Sequence, residues 1–397
     1  MNVRYASKSI LCSLIAVLAA GTAVAQTFSS GSTGSDGPLT FNTPGTYVFD
    51  PRTYTPPLNP AGDNIFNFTT ITIAAGVTVK LQGNIFNGPV VWLAQGLVKI
   101  DGTIDASGQD GFSASNTTQR TNTIPGAGGY GGGYPAVGAN PAGAGLGPAG
   151  GVVACPDARF GQDGGFTGNQ FLVPLLGGSG GGGNSSFSGG AGGWAVLIAS
   201  SVSISGVGSI LARGGSYFGS PSTGYNPASG GGAGGAIRLA PTVSVSGLLD
   251  VRTTPRAVCA AGPTNGVIRV EGFQIGALSA QGTLYTGTPF GLFLSLAGIP
   301  AVRVVSVGGN PVATSPTGTF TVPDVTVNSN GPLAVAITAA NVPVGTVVTL
   351  VIFSENGPDQ TILSTPLAGT LAASTANASV TLPSGFSKGF VKATFTQ

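Results

Sequence analysis

Three aspartates stand close together in the chain, Asp101, Asp105 and Asp110. Carboxylates on neighbouring strands can ligate Ca²⁺ through oxygen, or act as the paired acid and base of glycosidic cleavage. In the plainer reading Asp101 and Asp105 are outward strand residues and Asp110 belongs to a turn. The sequence therefore assigns no catalytic residue and no metal ligand, and these three are its calcium candidates. Arg238 and Arg269 occupy equivalent positions of a repeated motif, as do Arg213 and Arg252. Stacked in register, they would form a cationic ladder able to hold an acidic sugar, or supply the base of a lyase. Read as solvated outward residues they would repel one another, so pairing with Asp250 and Glu271 is expected. Tyr130, Tyr134, Tyr217, Phe218 and Tyr225 lie in glycine-rich stretches. Rings in such a setting either stack on sugars and partners or anchor their segment to the body, and these five are the candidate binding residues.

Several chemistries are excluded. The chain has no histidine, which removes Ser/His and Cys/His catalysis and every histidine-containing zinc site. Gly126-x-Gly128-x-x-Gly131 fits a dinucleotide fingerprint only by letter, because no strand and helix flank it, and no phosphate-loop Gly-Lys-Ser/Thr occurs. No cofactor is implied. The 15 basic residues face 13 acidic ones, which argues against a nucleic-acid groove.

Arg4 and Lys8, the apolar run from Ile10 to Ala20 and the small residues Ala23-Val24-Ala25 read as a signal peptide over residues 1–25, cut before Gln26. An uncleaved anchor is the alternative, although the run is short for a span of about 20 residues. The expected product is secreted or held at the cell surface, with the periplasm as the other compartment, and its mature chain has no membrane span. Cys155 and Cys259 would then form one disulfide. The two are 104 positions apart, a loop whose closure is worth about 4–5 kcal/mol in the chain-entropy model.

The scaffold is read from texture. Of 397 residues, 68 are Gly and 28 Pro, which long helices do not tolerate. The 42% apolar content with 7% charge is that of a folding chain rather than a disordered one. Short alternating runs recur: Val77-Thr78-Val79-Lys80, Val98-Lys99-Ile100-Asp101, Val202-Ser203-Ile204-Ser205 and Val243-Ser244-Val245-Ser246, each closed by Gly within three residues. The Val77 to Val98 interval of 21 positions suits one coil of a solenoid. Inward positions are predicted at Val98, Ile100, Val202, Ile204, Val243, Val245, Ile237 and Leu239. The predicted fold is all-β: a cap or irregular segment over 26–65, a right-handed parallel β-helix over 66–295, and an Ig-like β-sandwich over 296–397.

Three glycine-rich stretches interrupt the repeats: 125–151 with 12 Gly, 177–193 with 10 and 214–235 with 9. They are either flexible surface loops or polyproline-II-like segments packed on one another. The motif Gly234-Gly235-Ala236-Ile237-Arg238-Leu239-Ala240, the Val-Ser-Val-Ser-Gly strand after it and Gly266-Val267-Ile268-Arg269-Val270-Glu271 resemble glycine-rich, adhesin-like β-helical proteins exported by bacteria. The resemblance implies a fold and an extracellular setting, and transfers no functional residue. The functional expectation is a non-enzymatic structural or adhesive protein that contacts a glycan or surface protein through loop aromatics. A polysaccharide lyase or glycoside hydrolase is one alternative, and self-association into a filament or layer another.

Overall fold

The computed structural model describes residues 28–59, 62–86, 88–113, 122–137, 141–155, 157, 159–219, 227–254, 265–289, 300–313, 316, 323–354 and 356–395. The expected signal peptide lies outside them.

The protein is all-β, with three parallel sheets followed by two antiparallel ones. The chain visits the parallel sheets in fixed order. Leu39–Phe41, Ile71–Ile73, Val98–Ile100, Ile204–Gly206 and Val243–Val245 form the first; Gly45–Val48, Val77–Lys80, Thr103–Asp105, Ser209–Leu211, Leu248–Asp250 and Ser279–Gln281 the second. Ile65–Phe68, Val90–Ala94, Ala195–Ser200, Ala236–Ala240, Val267–Glu271 and Thr283–Gly287 form the third. Strands this short cannot bury an apolar face alone, but stacking turns their alternation into continuous inner columns. Leu39, Ile71, Val98, Ile204 and Val243 are successive register partners, as are Val79, Ile104, Ile210 and Leu249, and all of them are buried in one core.

The register corrects three expectations. The Val77 run is no copy of the Val98 run: it pairs with Thr103–Asp105 in the second sheet, and the partner of Val98 one coil earlier is Ile71, 27 positions away. Ile204, not Val202, aligns with Val98 and Val243, so Val202 falls outside the strand and is 52% exposed. Gly206, expected at a corner, instead occupies the register position of Val245. With φ of +143° and a would-be Cβ 1.8 Å from the Ile100 carbonyl oxygen, that strand position accepts only glycine. The segment assigned as a cap also contributes paired strands at Leu39–Phe41 and Gly45–Val48. Phe49 closes that end, its ring 5.2 Å from Phe66 and 5.4 Å from Trp92.

The excursions 106–194, 212–235 and 251–266 all leave after a second-sheet strand and return to the third sheet, so their glycines meet along one edge of the column. There they are packed, not loose. In residues 177–184, the N–H groups of Gly178, Gly181 and Asn184 donate to the carbonyls of Gly193, Gly190 and Phe187. Ser179 and Gly182 donate to Gly165 and Gln162, and Gly180 and Gly183 to Leu146 and Gly143. Their carbonyls accept in the same rhythm: Gly178, Gly181 and Asn184 from Tyr130, Gly133 and Ala136, and Ser179 and Gly182 from Ala233 and Gly230. Every third residue meets the same neighbour, the period of a polyproline-II helix, which has no hydrogen bonds of its own to offer. Glycine is required by proximity: a Cβ on Gly180, Gly183 or Gly189 would lie 2.0, 2.2 or 1.9 Å from a neighbouring carbonyl oxygen.

Beyond residue 300, Leu333–Ala340 lies between Ala301–Val307 and Ser374–Val380 in a five-stranded antiparallel sheet, and Val347–Ser354 is central to a three-stranded one. Val335, Ile337, Val348, Leu350 and Ala376 share a second core between these sheets.

Candidate functional surfaces

The aspartate triplet does not converge. Asp101 pairs with Lys99 at 3.2 Å and accepts a hydrogen bond from the Val207 N–H. Asp105 accepts from the Ser107 N–H, and Asp110 from the Ser216 N–H. Asp105 is committed to its own turn and Asp101 and Asp110 to main-chain N–H groups 106 positions along the chain, and among the described residues no three acidic or thiol groups gather as a metal site.

The arginines are in register, as the repeat predicts, but their surroundings differ from expectation. Arg238 and Arg269 are partners on adjacent strands of the third sheet. Far from being solvated, Arg238 is 1% exposed and Arg269 8%. The outer face of this sheet is covered over its middle strands: Leu93, Leu197 and Ala199 pack with Phe28 and Leu175, and the Phe171 ring lies 5.5 Å from the Arg269 guanidinium. A buried carboxylate bridges the pair. Glu271 accepts from Arg238 at 3.0 and 3.2 Å and from Arg269 at 3.3 Å. Asp250, also buried, binds Arg252 at 2.9 Å with Arg213 at 3.8 Å. Burial pushes its carboxyl up, but the Arg252 side chain and N–H, with the charges of both arginines, outweigh this and hold it below the usual aspartate value. The expected acidic partners are thus present; Arg238 and Arg269 are not solvated, whereas Arg213 and Arg252 are, with side chains 46 and 48% exposed.

The aromatic candidates separate. Tyr134 is buried beside Leu146, and its hydroxyl bonds Asp359 of the C-terminal sheets. Tyr130 joins the same cluster with Val351 and Phe390, and burial pushes its phenol up. These two anchor their segments internally, the second of the two roles their setting allowed, which removes them from the candidate binding residues. Phe218 is 40% exposed and its ring lies 5.1 Å from that of Phe187, tilted by 58°; Tyr217 beside it is half-buried. Tyr225 lies outside the described residues, as does Cys259. The pairing of Cys155 with Cys259 stays a proposal.

One surface escaped sequence reasoning. Thr40, Thr72, Lys99, Ser205 and Ser244 are register partners pointing away from the core of the first sheet. The signal was present in each apolar-polar-apolar triplet, but the row exists only once the register is known. Among the described residues no helix is long and apolar enough to cross a membrane. No family model, curated protein or solved structure matches this chain.

Proposed function

We propose that this is an exported structural or adhesive protein: a right-handed parallel β-helix carrying a glycine body and closed within itself by a Cys155–Cys259 bridge, followed by an Ig-like sandwich and displayed outside the cytoplasm. The observation that carries the reading is the interlocking of residues 177–184 with six neighbouring stretches through main-chain hydrogen bonds. A body stiffened mainly by main-chain hydrogen bonds, with buried Thr123, Asp163 and Asn184 side chains tying in further backbone groups, suits a rigid display platform. Phe218 and Tyr217 are the aromatic contacts left at its surface.

The test is retention. Beads coated with the mature protein are expected to bind bacterial or host cell surfaces under flow, while unfolded protein on the same beads does not. Equal retention of folded and unfolded coats overturns the reading.

Self-association is a second reading, favoured by the terminal strands Ser279–Gln281 and Thr283–Gly287, each paired on one side only among the described residues. Leu284 is 38% and Tyr285 36% exposed there, and open strand edges recruit further strands. Concentration-dependent sedimentation, abolished by Leu284→Lys, supports it; a monomer at all concentrations removes it.

A further inference from the structure

We infer that the outer face of the first parallel sheet is a docking track for a neutral polysaccharide, an inference that rests on the adhesive reading and names its ligand class. Thr40, Thr72, Lys99, Ser205 and Ser244 succeed one another rung by rung, about 4.8 Å apart as parallel strands require. Each is exposed or half-buried. Among the described residues the four hydroxyls make no side-chain hydrogen bond within the protein. Elsewhere hydroxyls are used internally: Ser30 donates to Ala94, Thr123 to Gly189, Ser200 to Gly96. The middle strands of the third sheet make the contrast sharper, because outer positions such as Leu93, Leu197, Ala199 and Arg238 are apolar or ion-paired and buried.

The flanks match a sugar's two-sided chemistry. Leu97, Val202 and Val207 are 54, 52 and 69% exposed and lie just before or just after strands of this sheet. They offer apolar area to the C–H faces of a sugar ring while the hydroxyl row exchanges hydrogen bonds with its OH groups. The one charged rung is neutralised: Lys99 meets Asp101 at 3.2 Å, giving a donor and an acceptor with no net charge. That favours an uncharged glycan over an acidic one. It also favours a glycan over an ice lattice, whose flat order an ion pair with its own hydration interrupts.

The full mature chain is mixed with insoluble cellulose and chitin, and run in affinity gels containing a soluble neutral β-glucan. The expected result is binding to at least one of these, little changed between 50 and ~500 mM salt as a neutral contact requires. Thr72→Glu with Ser205→Glu weakens it at least ~10-fold without lowering the melting temperature, and Thr375→Glu on the C-terminal sheet leaves it unchanged. Binding that survives the double variant but is lost in Tyr217→Ala with Phe218→Ala overturns this inference and keeps the adhesive reading. Retention on cells with no affinity for any polysaccharide does the same. Ice recrystallisation inhibition lost in the double variant, without glycan binding, reassigns the face to ice and overturns the inference. Failure to adhere to anything overturns both.

Discussion

Arg238 and Arg269 are register partners on adjacent parallel strands, and both donate their Nε–H to a single oxygen, Oε1 of Glu271, at 3.0 and 3.3 Å. Two like charges this close and this buried are held by one carboxylate that is itself inaccessible. The arrangement explains how a chain with few charges places two arginines under an apolar cover.

Removing that carboxylate leaves two guanidinium groups facing each other out of water. Glu271→Ala is expected to destabilise the protein by on the order of 3–5 kcal/mol, the usual cost of stranding a buried charge. Denaturant melts would measure it. A loss under about 1 kcal/mol, as at surface pairs, would show that the network is solvated.

The glycine body makes two demands. A methyl at Gly189 would lie 1.9 Å from the Gly181 carbonyl oxygen, whereas one at Gly331 meets only the Ser329 hydroxyl at 3.9 Å. Gly189→Ala should therefore cost at least about 1–3 kcal/mol by overpacking, and Gly331→Ala almost nothing. The amides of Gly181, Gly189 and Gly190 should also exchange slowly, as packed segments do. Fast exchange at all three would mean that the body is a set of loose loops.

Asp250 predicts acid sensitivity. Its carboxyl lies below the ordinary aspartate value because the Arg252 and Arg213 contacts outweigh burial. A depressed carboxyl adds stability above its unfolded pKa and loses it as pH falls through the folded value. The decline should begin below about pH 4. Asp250→Asn should be less stable at pH 7 and flatter in this acid range; an unchanged acid limb in melting-temperature titrations refutes the assignment.

Lys388 acts in the opposite direction. Burial lowers its ammonium to about 8, with Asp324 opposing the shift. Between that value and the unfolded one near 10.4 the unfolded chain binds more protons, so this residue's contribution to stability rises with pH across the window. Lys388→Met should remove the slope. A melting temperature of the C-terminal sheets with the same pH slope in both proteins would count against it.

The proposed Cys155–Cys259 bridge closes a loop of about 100 residues. Peptide mapping without reductant should recover the two cysteines linked, and reduction should lower stability by up to about 4–5 kcal/mol. Recovery of a free Cys259 thiol from the mature chain removes the proposal.

Much of the scaffold could be read from the sequence, because alternation of apolar and polar residues sets which side of a strand faces inward, whatever lies beside it. That is why Val98, Ile100, Ile204, Val243 and Val245 are buried as expected. Register was less accessible. The Val202 and Val243 runs look alike by letter, yet the strands align through Ile204, which puts Gly206, with no side chain, against the Ile100 carbonyl where the expected register would have put Ile204. The glycine stretches stayed undecided for a similar reason: glycine serves a loose loop and a close-packed segment equally well, and only the positions of neighbouring carbonyls tell them apart.

The residue order alone fixed the all-β character, the recurrence of short strands, and the pairing of arginines with Asp250 and Glu271. Each follows from local alternation or from charges that must be balanced wherever they fall. The covered third sheet, the burial of Tyr134, the three-residue weave of the glycines and the bare hydroxyl row were decided in three dimensions. They depend on which distant segments come to lie side by side, and no local preference of a glycine, threonine or tyrosine carries that information.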